Sequence, residues 1–172
     1  MLRQHPPVDK RESESISKFL SMAPTLESPF DEHSDVVHIT ASAIVVSDPG
    51  RDKVVLHLHK RLNMWLQPGG HFEKGESLVQ AGVREALEET GLGVVPFAGD
   101  DSFIHVDVHP GPRGHTHLDL RVLLLASETT PSPAEGESPS VAWFSWDEAM
   151  AMADAGLRGG LLAAKQTLGL DA

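Results

Sequence analysis

The sequence predicts an α/β (α+β) fold in which a mixed β-sheet carries helices on both faces. The first observation is a set of β-branched, apolar segments typical of strands, at 36–47, 53–60, 102–109, 115–126 and 141–145. The second is helical spacing of apolar residues at 77–90, 145–155 and 157–168. The resulting order β, β, α, β, β, β, α favours a mixed sheet between helices.

Turn signals separate these elements in the first half of the chain. The segment 36–47 is almost continuously apolar, which indicates a mostly buried strand. Asp48-Pro-Gly-Arg-Asp52 predicts a turn, and the returning strand alternates Val54, Leu56 and Leu58. Gln67-Pro-Gly-Gly70 and Gly75 then predict a long loop before the helix at 77–90.

The second half is bounded by similar signals. Gly91 supplies the C-terminal stop of the 77–90 helix. The strands at 102–109 and 115–126 flank Pro110-Gly-Pro-Arg-Gly114, so they predict a hairpin with a broad turn. Residues 127–140 are rich in Ser, Thr, Pro and Glu and predict a loop. Ser145 and Glu148 form a capping box for the next helix.

The chain length suits one domain with an N-terminal extension. Domains cluster around ~100–150 residues, and this chain has 172. Residues 1–35 predict a helical appendage, because 10–22 could form a short helix that Pro24 and Pro29 then interrupt. Residues 36–172 are predicted to form the main domain.

Composition excludes several classes of protein. The chain has no cysteine, which excludes disulfides, cysteine-based zinc sites and thiol catalysis. Its net charge of −11 argues against binding a nucleic-acid polymer. The apolar segments are far shorter than the ~20 residues of a membrane span, and no signal peptide is evident at the N-terminus. We therefore expect a soluble, cytoplasmic, acidic single-domain protein.

Three glutamates gather on one side of the helix at 77–90. At ~100° per residue, Glu85, Glu88 and Glu89 fall within one narrow arc. The opposite arc is apolar and is predicted to face the core; it holds Val79, Val83, Ala86, Leu87 and Thr90. Like charges at this spacing repel by ~0.2–0.5 kcal/mol per pair in an isolated helix. Solvation or a bound divalent cation with oxygen ligands would relieve that repulsion.

The segment around these glutamates resembles the Nudix box, Gly-x5-Glu-x7-Arg-Glu-U-x-Glu-Glu-x-Gly-U, where U is apolar. Ala86 and Leu92 stand at the two apolar positions. Every fixed position is met, by Gly70, Glu76, Arg84, Glu85, Glu88, Glu89 and Gly91. The resemblance implies a Nudix-type α/β/α sandwich and a hydrolase that cleaves a diphosphate linkage, often in a nucleoside diphosphate joined to another group.

The same resemblance implies a role for each matched residue. Glu85, Glu88 and Glu89, with the backbone carbonyl of Gly69, would bind Mg²⁺ or Mn²⁺. Arg84 would orient the glutamates through charge-assisted hydrogen bonds. The metal would neutralise the diphosphate and activate the attacking water.

The general base stays open between two sources. One is a glutamate of the box, Glu88 or Glu89. The other is a carboxylate of the loop before the last strand, which carries Glu135 and Glu137, and we favour Glu137. The alternative for such a residue is a solvated loop acid without a catalytic role.

A second polar group lies outside the box, on the predicted hairpin. His105, Asp107 and His109 alternate on one strand, and His115, His117, Asp119 and Arg121 alternate on the other. The two rows could pair into one patch beside the glutamate helix that binds the substrate or a transition metal. The alternative is an ordinary solvent-facing sheet surface. We expect Ala at His117 or Asp119 to impair turnover without unfolding the protein.

Two further interpretations remain open from the sequence. Trp65 could stack on a substrate base or simply pack against the domain. The chain could also be a non-catalytic Nudix domain that binds a nucleotide and regulates another process. An isopentenyl-diphosphate isomerase is disfavoured because its expected cysteine is absent. A homodimer is compatible with the resemblance.

Overall fold

The computed structural model describes residues 2–170, which form four α-helices and eight strands of one mixed sheet. The helices are α1 Lys10–Met22, α2 Leu78–Thr90, α3 Trp146–Met152 and α4 Ala155–Leu168. The strands are β1 Val37–Asp48, β2 Lys53–His59, β3 Met64–Leu66, β4 Gly69–His71, β5 Val94–Pro96, β6 Phe103–Pro110, β7 Thr116–Ser127 and β8 Val141–Ser145. The predicted fold class is confirmed.

The sheet is mixed because its two longest strands run parallel while the other pairings are antiparallel. β1 and β7 pair in parallel from Val37 opposite Thr116 to Asp48 opposite Ser127. The main strand order is β3-β2-β1-β7-β5, with β4 on β1, β6 on β7 and β8 on β2. The predicted hairpin is formed by β6 and β7.

The two faces of the sheet bury separate cores. One core joins alternate residues of the central strands, such as Ile44 and Leu123, to Leu157 and Leu161 of α4. The opposite core joins the intervening residues, such as Val45 and Val122, to Val79 and Ala86 of α2. Because adjacent strand residues point to opposite faces, this arrangement gives the predicted α/β/α sandwich.

The strands β3, β4 and β5 are absent from the sequence prediction. Each has three residues, which is too short to show an alternating pattern. β4 lies inside the segment predicted as a loop, where its backbone pairs with β1 from Thr40 opposite His71 to Ser42 opposite Gly69. Pairing with an existing strand, and not side-chain pattern, makes these segments strands.

Helix α2 begins and ends where the sequence signals indicate. Ser77 caps its N-terminus in a capping box with Gln80, and Gly91 ends it in the left-handed conformation. The prediction that Leu87 faces the core is wrong, because its side chain is 51% exposed. At ~100° per residue Leu87 lies ~80° from the buried line of Val79, Ala86 and Thr90, at the margin of the contact.

Helix α1 covers the outer edge of β6. Glu12 Oε1 accepts a hydrogen bond from the Val106 backbone N–H at 3.0 Å, and Ser15 Oγ accepts one from Val108 N–H at 3.1 Å. Phe19, further along the helix, packs in a third apolar cluster with residues of β1, β6 and β7. The division of the chain into an appendage that ends at residue 35 and a main domain that begins at residue 36 stays a prediction. The first residue of that appendage, Met1, and the last two of that domain, Asp171–Ala172, lie outside the described residues.

We expect Glu12→Ala to lower the free energy of unfolding by about 2–4 kcal/mol. The fully buried Glu12 carboxylate also accepts from Val8 N–H at 2.7 Å and contacts His5 Nε2 at 2.8 Å, so its loss leaves buried donors without partners. Urea unfolding checks this value. Glu14→Ala is the matched control on the same helix. Because Glu14 is exposed, its replacement should change the free energy of unfolding by less than about 0.5 kcal/mol. Equal midpoints for the two variants would contradict the prediction.

Among residues 2–170, no helix has the length and apolar character needed to cross a membrane.

Candidate active site

The three glutamates of α2 lie together beside the loop that precedes the helix. Glu85 and Glu89 are mostly buried, whereas Glu88 is about half exposed. Burial is the largest cause of a raised pKa at Glu85. Burial also raises the pKa of Glu89 to about 8, with further contributions from the charges of Glu85, Glu137 and Glu88. Carboxylates held this close and this dry are stabilised by a cation.

Arg84 binds the glutamates and the preceding loop at the same time. Its guanidinium donates to both carboxylate oxygens of Glu76, at 2.8 and 3.0 Å. It also donates to Glu85 Oε1 at 2.8 Å, Glu88 Oε2 at 3.3 Å and the backbone carbonyl of His71 at 2.7 Å. The bond to Glu76 is the main cause of a raised pKa at Arg84. Arg84 therefore holds Glu85 in one orientation.

The two glycines of β4 allow this strand to fit between β1 and α2. A Cβ atom on Gly70 would lie 2.6 Å from Glu85 Oε1, and one on Gly69 would lie 2.3 Å from Ser42 Cβ. Neither position has room for a side chain. The Gly69 N–H donates to Glu89 Oε2 at 2.8 Å, so the structure brings the Gly69 backbone to the glutamates.

The loop before β8 is fixed to the last turn of α2 and carries Glu137 to the same place. Ala134 N–H donates to the Glu88 carbonyl at 2.8 Å, and Ser132 N–H donates to the Thr90 carbonyl at 2.9 Å. Ser138, next to Glu137, donates through its hydroxyl to the Leu58 carbonyl at 2.7 Å. Glu137 is partly buried and acts electrostatically on Glu85 and Glu89, whereas Glu135 is exposed.

His57 is a further member of this group, although the sequence does not assign it to the glutamate site. It lies on β2 with Nδ1 3.5 Å from Glu89 Oε1. Burial lowers its pKa to about 4, so the ring is neutral at pH 7. Strand alternation places His57 on the same face of β2 as Val55, so the sequence could have indicated its direction. The sequence does not show that this face of β2 lies against α2.

The polar rows of the hairpin pair as predicted, but they are buried on the other face of the sheet. His105 lies opposite Arg121, and Asp107 lies opposite Asp119. All four are at least 97% buried, which excludes a solvent-facing surface. The expected position beside α2 is corrected: these residues of β7 share the face of Leu123, which packs on α4.

Arg121 is the centre of this buried polar group. Its Nε donates to Asp119 Oδ2 at 2.9 Å, and its Nη2 lies 3.6 Å from Asp107 Oδ2. A further bond reaches the Gly156 carbonyl at the start of α4. Asp119 also accepts from the hydroxyls of Thr40 and Ser42, at 3.0 and 2.8 Å. These contacts join the sheet to α4. Substrate binding stays a prediction for the four buried residues, His105, Asp107, Asp119 and Arg121.

The other two residues predicted to bind substrate, Trp65 and His117, lie on different strands, β3 and β7. Trp65 on β3 makes an edge-to-face contact with Phe144 of β8, with ring centroids 4.8 Å apart. This contact is what the alternative interpretation, packing against the domain, expects. Stacking of Trp65 on a substrate base stays a prediction. His117 lies at the start of β7, 5.0 Å from the ring of His38.

Known proteins with the same sequence pattern and fold identify the family. The NUDIX domain matches residues 37–163. The m7GpppN-mRNA hydrolase NUDT17 of Danio rerio is 31% identical over 147 residues, which cover 73% of this chain and 48% of that protein. Phosphatase NudJ of Escherichia coli is 29% identical over 112 residues, or 64% of this chain and 70% of NudJ.

Solved structures agree with the sequence match. A NUDIX-family hydrolase from Clostridium perfringens has a TM-score of 0.64 to this chain and 30% identity, covering 77% of this chain and 96% of that one. The chain spans about half the length of the Danio rerio protein, so the match concerns the domain. The family match over residues 37–163 covers most of the chain. The chain belongs to the Nudix hydrolase family.

Proposed function

We propose that this chain hydrolyses a diphosphate linkage in a nucleoside diphosphate joined to another group, with Mg²⁺ or Mn²⁺ as cofactor. The observation that carries the proposal is the buried cluster of Glu85 and Glu89, in which burial and like charge raise the pKa of Glu89 to about 8. A stable fold has no need of such a cluster, whereas a divalent cation with oxygen ligands matches it. NUDT17 and NudJ, by name a hydrolase and a phosphatase, support the reaction class.

Glu85, Glu88 and Glu89 would hold the cation, together with the Gly69 carbonyl. These residues fit a hard cation because all offer oxygen and Gly69 is already in contact with Glu89. When bound, the cation neutralises the diphosphate oxygens and lowers the pKa of water. Arg84 keeps Glu85 oriented, and its bidentate bond to Glu76 keeps the guanidinium in place.

Glu137 is the general base in this proposal. Water attacks one phosphorus and loses its proton to the Glu137 carboxylate, while the bridging P–O bond breaks and its electron pair leaves with the departing phosphate. Glu89 is less suited to this role because Gly69 N–H already binds its Oε2. The anchored loop supports Glu137, since backbone bonds to α2 and the Ser138 bond hold both sides of it.

A substrate panel tests the proposed function. We would incubate the protein with ADP-ribose, nucleotide sugars, dinucleoside polyphosphates, oxidised nucleoside triphosphates and a capped dinucleotide, with Mg²⁺ or Mn²⁺. Metal-dependent release of a phosphomonoester or phosphate from at least one class is the expected result. Binding of these compounds without hydrolysis of any would contradict the proposal and favour the non-catalytic alternative.

We expect Glu137→Gln to lower kcat about 10²–10⁴-fold with little change in KM. The amide keeps the size of the side chain but cannot accept the proton of the attacking water. Steady-state kinetics on the best panel substrate measures the effect. Glu135→Gln, two residues away and exposed, is the matched control and should retain full activity. Equal kcat values for both variants would return the role of base to the glutamates of α2.

A further inference from the structure

Five histidines gather at one end of the sheet, where β1, β4, β6 and β7 meet. The ring of His38 lies about 5 Å from three of its neighbours: 5.0 Å from His71, 5.1 Å from His115 and 5.0 Å from His117. The ring of His117 lies 5.4 Å from that of His109. The proposed function uses none of these imidazoles.

Three of the five bring their ring nitrogens close together. The ligand atoms of His38, His71 and His117 all lie within 4.8 Å of one another. The two Nε2 atoms of His38 and His71 are 3.1 Å apart. In a tetrahedral zinc site with Zn–N bonds of ~2.0–2.1 Å, ligand nitrogens lie ~3.3 Å apart. The His38–His71 pair already has this spacing, whereas the ligand nitrogen of His117, within 4.8 Å of the others, must move closer by up to ~1.5 Å.

The surroundings of His38 prepare it as a ligand. Its side chain is fully buried, and Nδ1 lies 3.3 Å from the backbone carbonyl of Asp35. A proton on Nδ1 bonded to that carbonyl leaves the lone pair of Nε2 free toward His71. A carbonyl that fixes the ring in this way is a usual partner of metal-binding histidines.

We propose that His38, His71 and His117 form a second metal site, selective for Zn²⁺ or a similar transition metal and distinct from the glutamate site.

A carboxylate and an open side complete the site. Glu32 Oε2 lies 3.7 Å from His71 Nε2, which places it as a fourth ligand or as a partner of a bound water. A small pocket opens here, lined by Glu32, His71, His115 and His117 together with Arg61 and Arg113. Three imidazoles and one open position are the ligand set of many zinc sites.

The two sites would select different cations. Imidazole nitrogen suits Zn²⁺, Cu²⁺ and Ni²⁺, whereas the glutamate oxygens suit Mg²⁺ and Mn²⁺. They are joined through β4, because the carbonyl of His71 accepts from Arg84, which orients Glu85. A metal at His71 would therefore fix one end of the loop that leads into α2.

Zinc binding in the Glu89→Gln background tests the proposal, since that change weakens the glutamate site. We would titrate Zn²⁺ against a chromogenic chelator and record the visible spectrum with Co²⁺, whose tetrahedral complexes absorb much more strongly than octahedral ones. One equivalent of Zn²⁺ is expected to bind, with a tetrahedral Co²⁺ spectrum. Adding His117→Asn or His71→Asn is expected to weaken Zn²⁺ binding at least about ten-fold and to abolish that spectrum.

Two controls separate a lost ligand from a lost fold. His33→Asn, also next to Glu32 but outside the three, should leave Zn²⁺ binding unchanged. Both ligand variants change half-buried residues, and circular dichroism without metal verifies that they fold. Zn²⁺ affinity that is unchanged in both folded ligand variants, or absent from the Glu89→Gln protein, would overturn the second site. Neither result bears on the Mg²⁺-dependent hydrolysis of the unaltered protein.

Discussion

Glu89→Gln is expected to reduce metal-dependent hydrolysis about a thousand-fold, which corresponds to about 4 kcal/mol of transition-state stabilisation. The amide keeps an oxygen that can accept from Gly69 N–H, so the loop keeps its position. What is lost is the negative charge that would hold the cation. Initial rates with saturating Mg²⁺ and the best panel substrate measure the effect, and Glu135→Gln is the control.

For the same variant we expect no loss of stability, in contrast to the loss of activity. Without metal, Glu89→Gln should be at least as stable as the unaltered protein, because burial raises the pKa of Glu89 to about 8 and folding at pH 7 must therefore protonate this carboxyl, a cost that the neutral amide does not have. The stabilisation that Mg²⁺ or Mn²⁺ gives the unaltered protein should shrink in the variant. Thermal unfolding with and without each metal checks both points. If activity and metal-induced stabilisation both equal those of the unaltered protein, Glu89 is not a metal ligand.

Arg121→Ala is expected to lower the free energy of unfolding by about 3–5 kcal/mol. The side chain is 98% buried and lies between Asp107 and Asp119, so its loss leaves the buried Asp119 carboxylate without a counter-charge and leaves Asp107 with Arg11 as its remaining basic partner. For a chain of this size, a loss of about 4 kcal/mol shifts Tm by about 8–16 °C. Urea and thermal unfolding give the value directly.

Arg11→Ala is the matched control for Arg121, because Arg11 also binds Asp107 but is partly exposed. We expect Arg11→Ala to lower the free energy of unfolding by only about 1 kcal/mol. The double change Arg121→Ala with Asp119→Ala should destabilise by less than the sum of the two single changes, since the pair shares one interaction. Additive effects, or a loss below about 1 kcal/mol for Arg121→Ala, would contradict a central role for this residue. The sequence predicts that Asp119→Ala stays folded. Because the structure buries Asp119 beside Arg121, we expect this variant also to be less stable.

The glutamate site was predictable because its information is local. Glu85, Glu88 and Glu89 share an arc through helical spacing alone, and Gly91 and the Ser77 cap fix the helix that carries them. The family resemblance also directed attention to Glu137, which the structure places near enough to act electrostatically on Glu85 and Glu89. Neither conclusion required knowledge of which strands pair.

The hairpin and His57 were not predictable in the same way, because their environment depends on distant segments. Alternation identified which residues of β6 and β7 share a face, but α4 decides that this face is interior. His57 reaches Glu89 only because β2 and α2 meet in space. His38 and His71 come together with His117 through the pairing of β1 with β4 and β7, which no single segment encodes.

The position of α1 along β6 has a consequence for how the chain behaves among its own copies. An uncovered strand edge offers unpaired N–H and C=O groups to any other extended chain and is a starting point for aggregation. Glu12 and Ser15 occupy the N–H groups of Val106 and Val108 with side-chain oxygens, which cannot continue a ladder. The N-terminal helix thus protects the domain from edge-to-edge self-association.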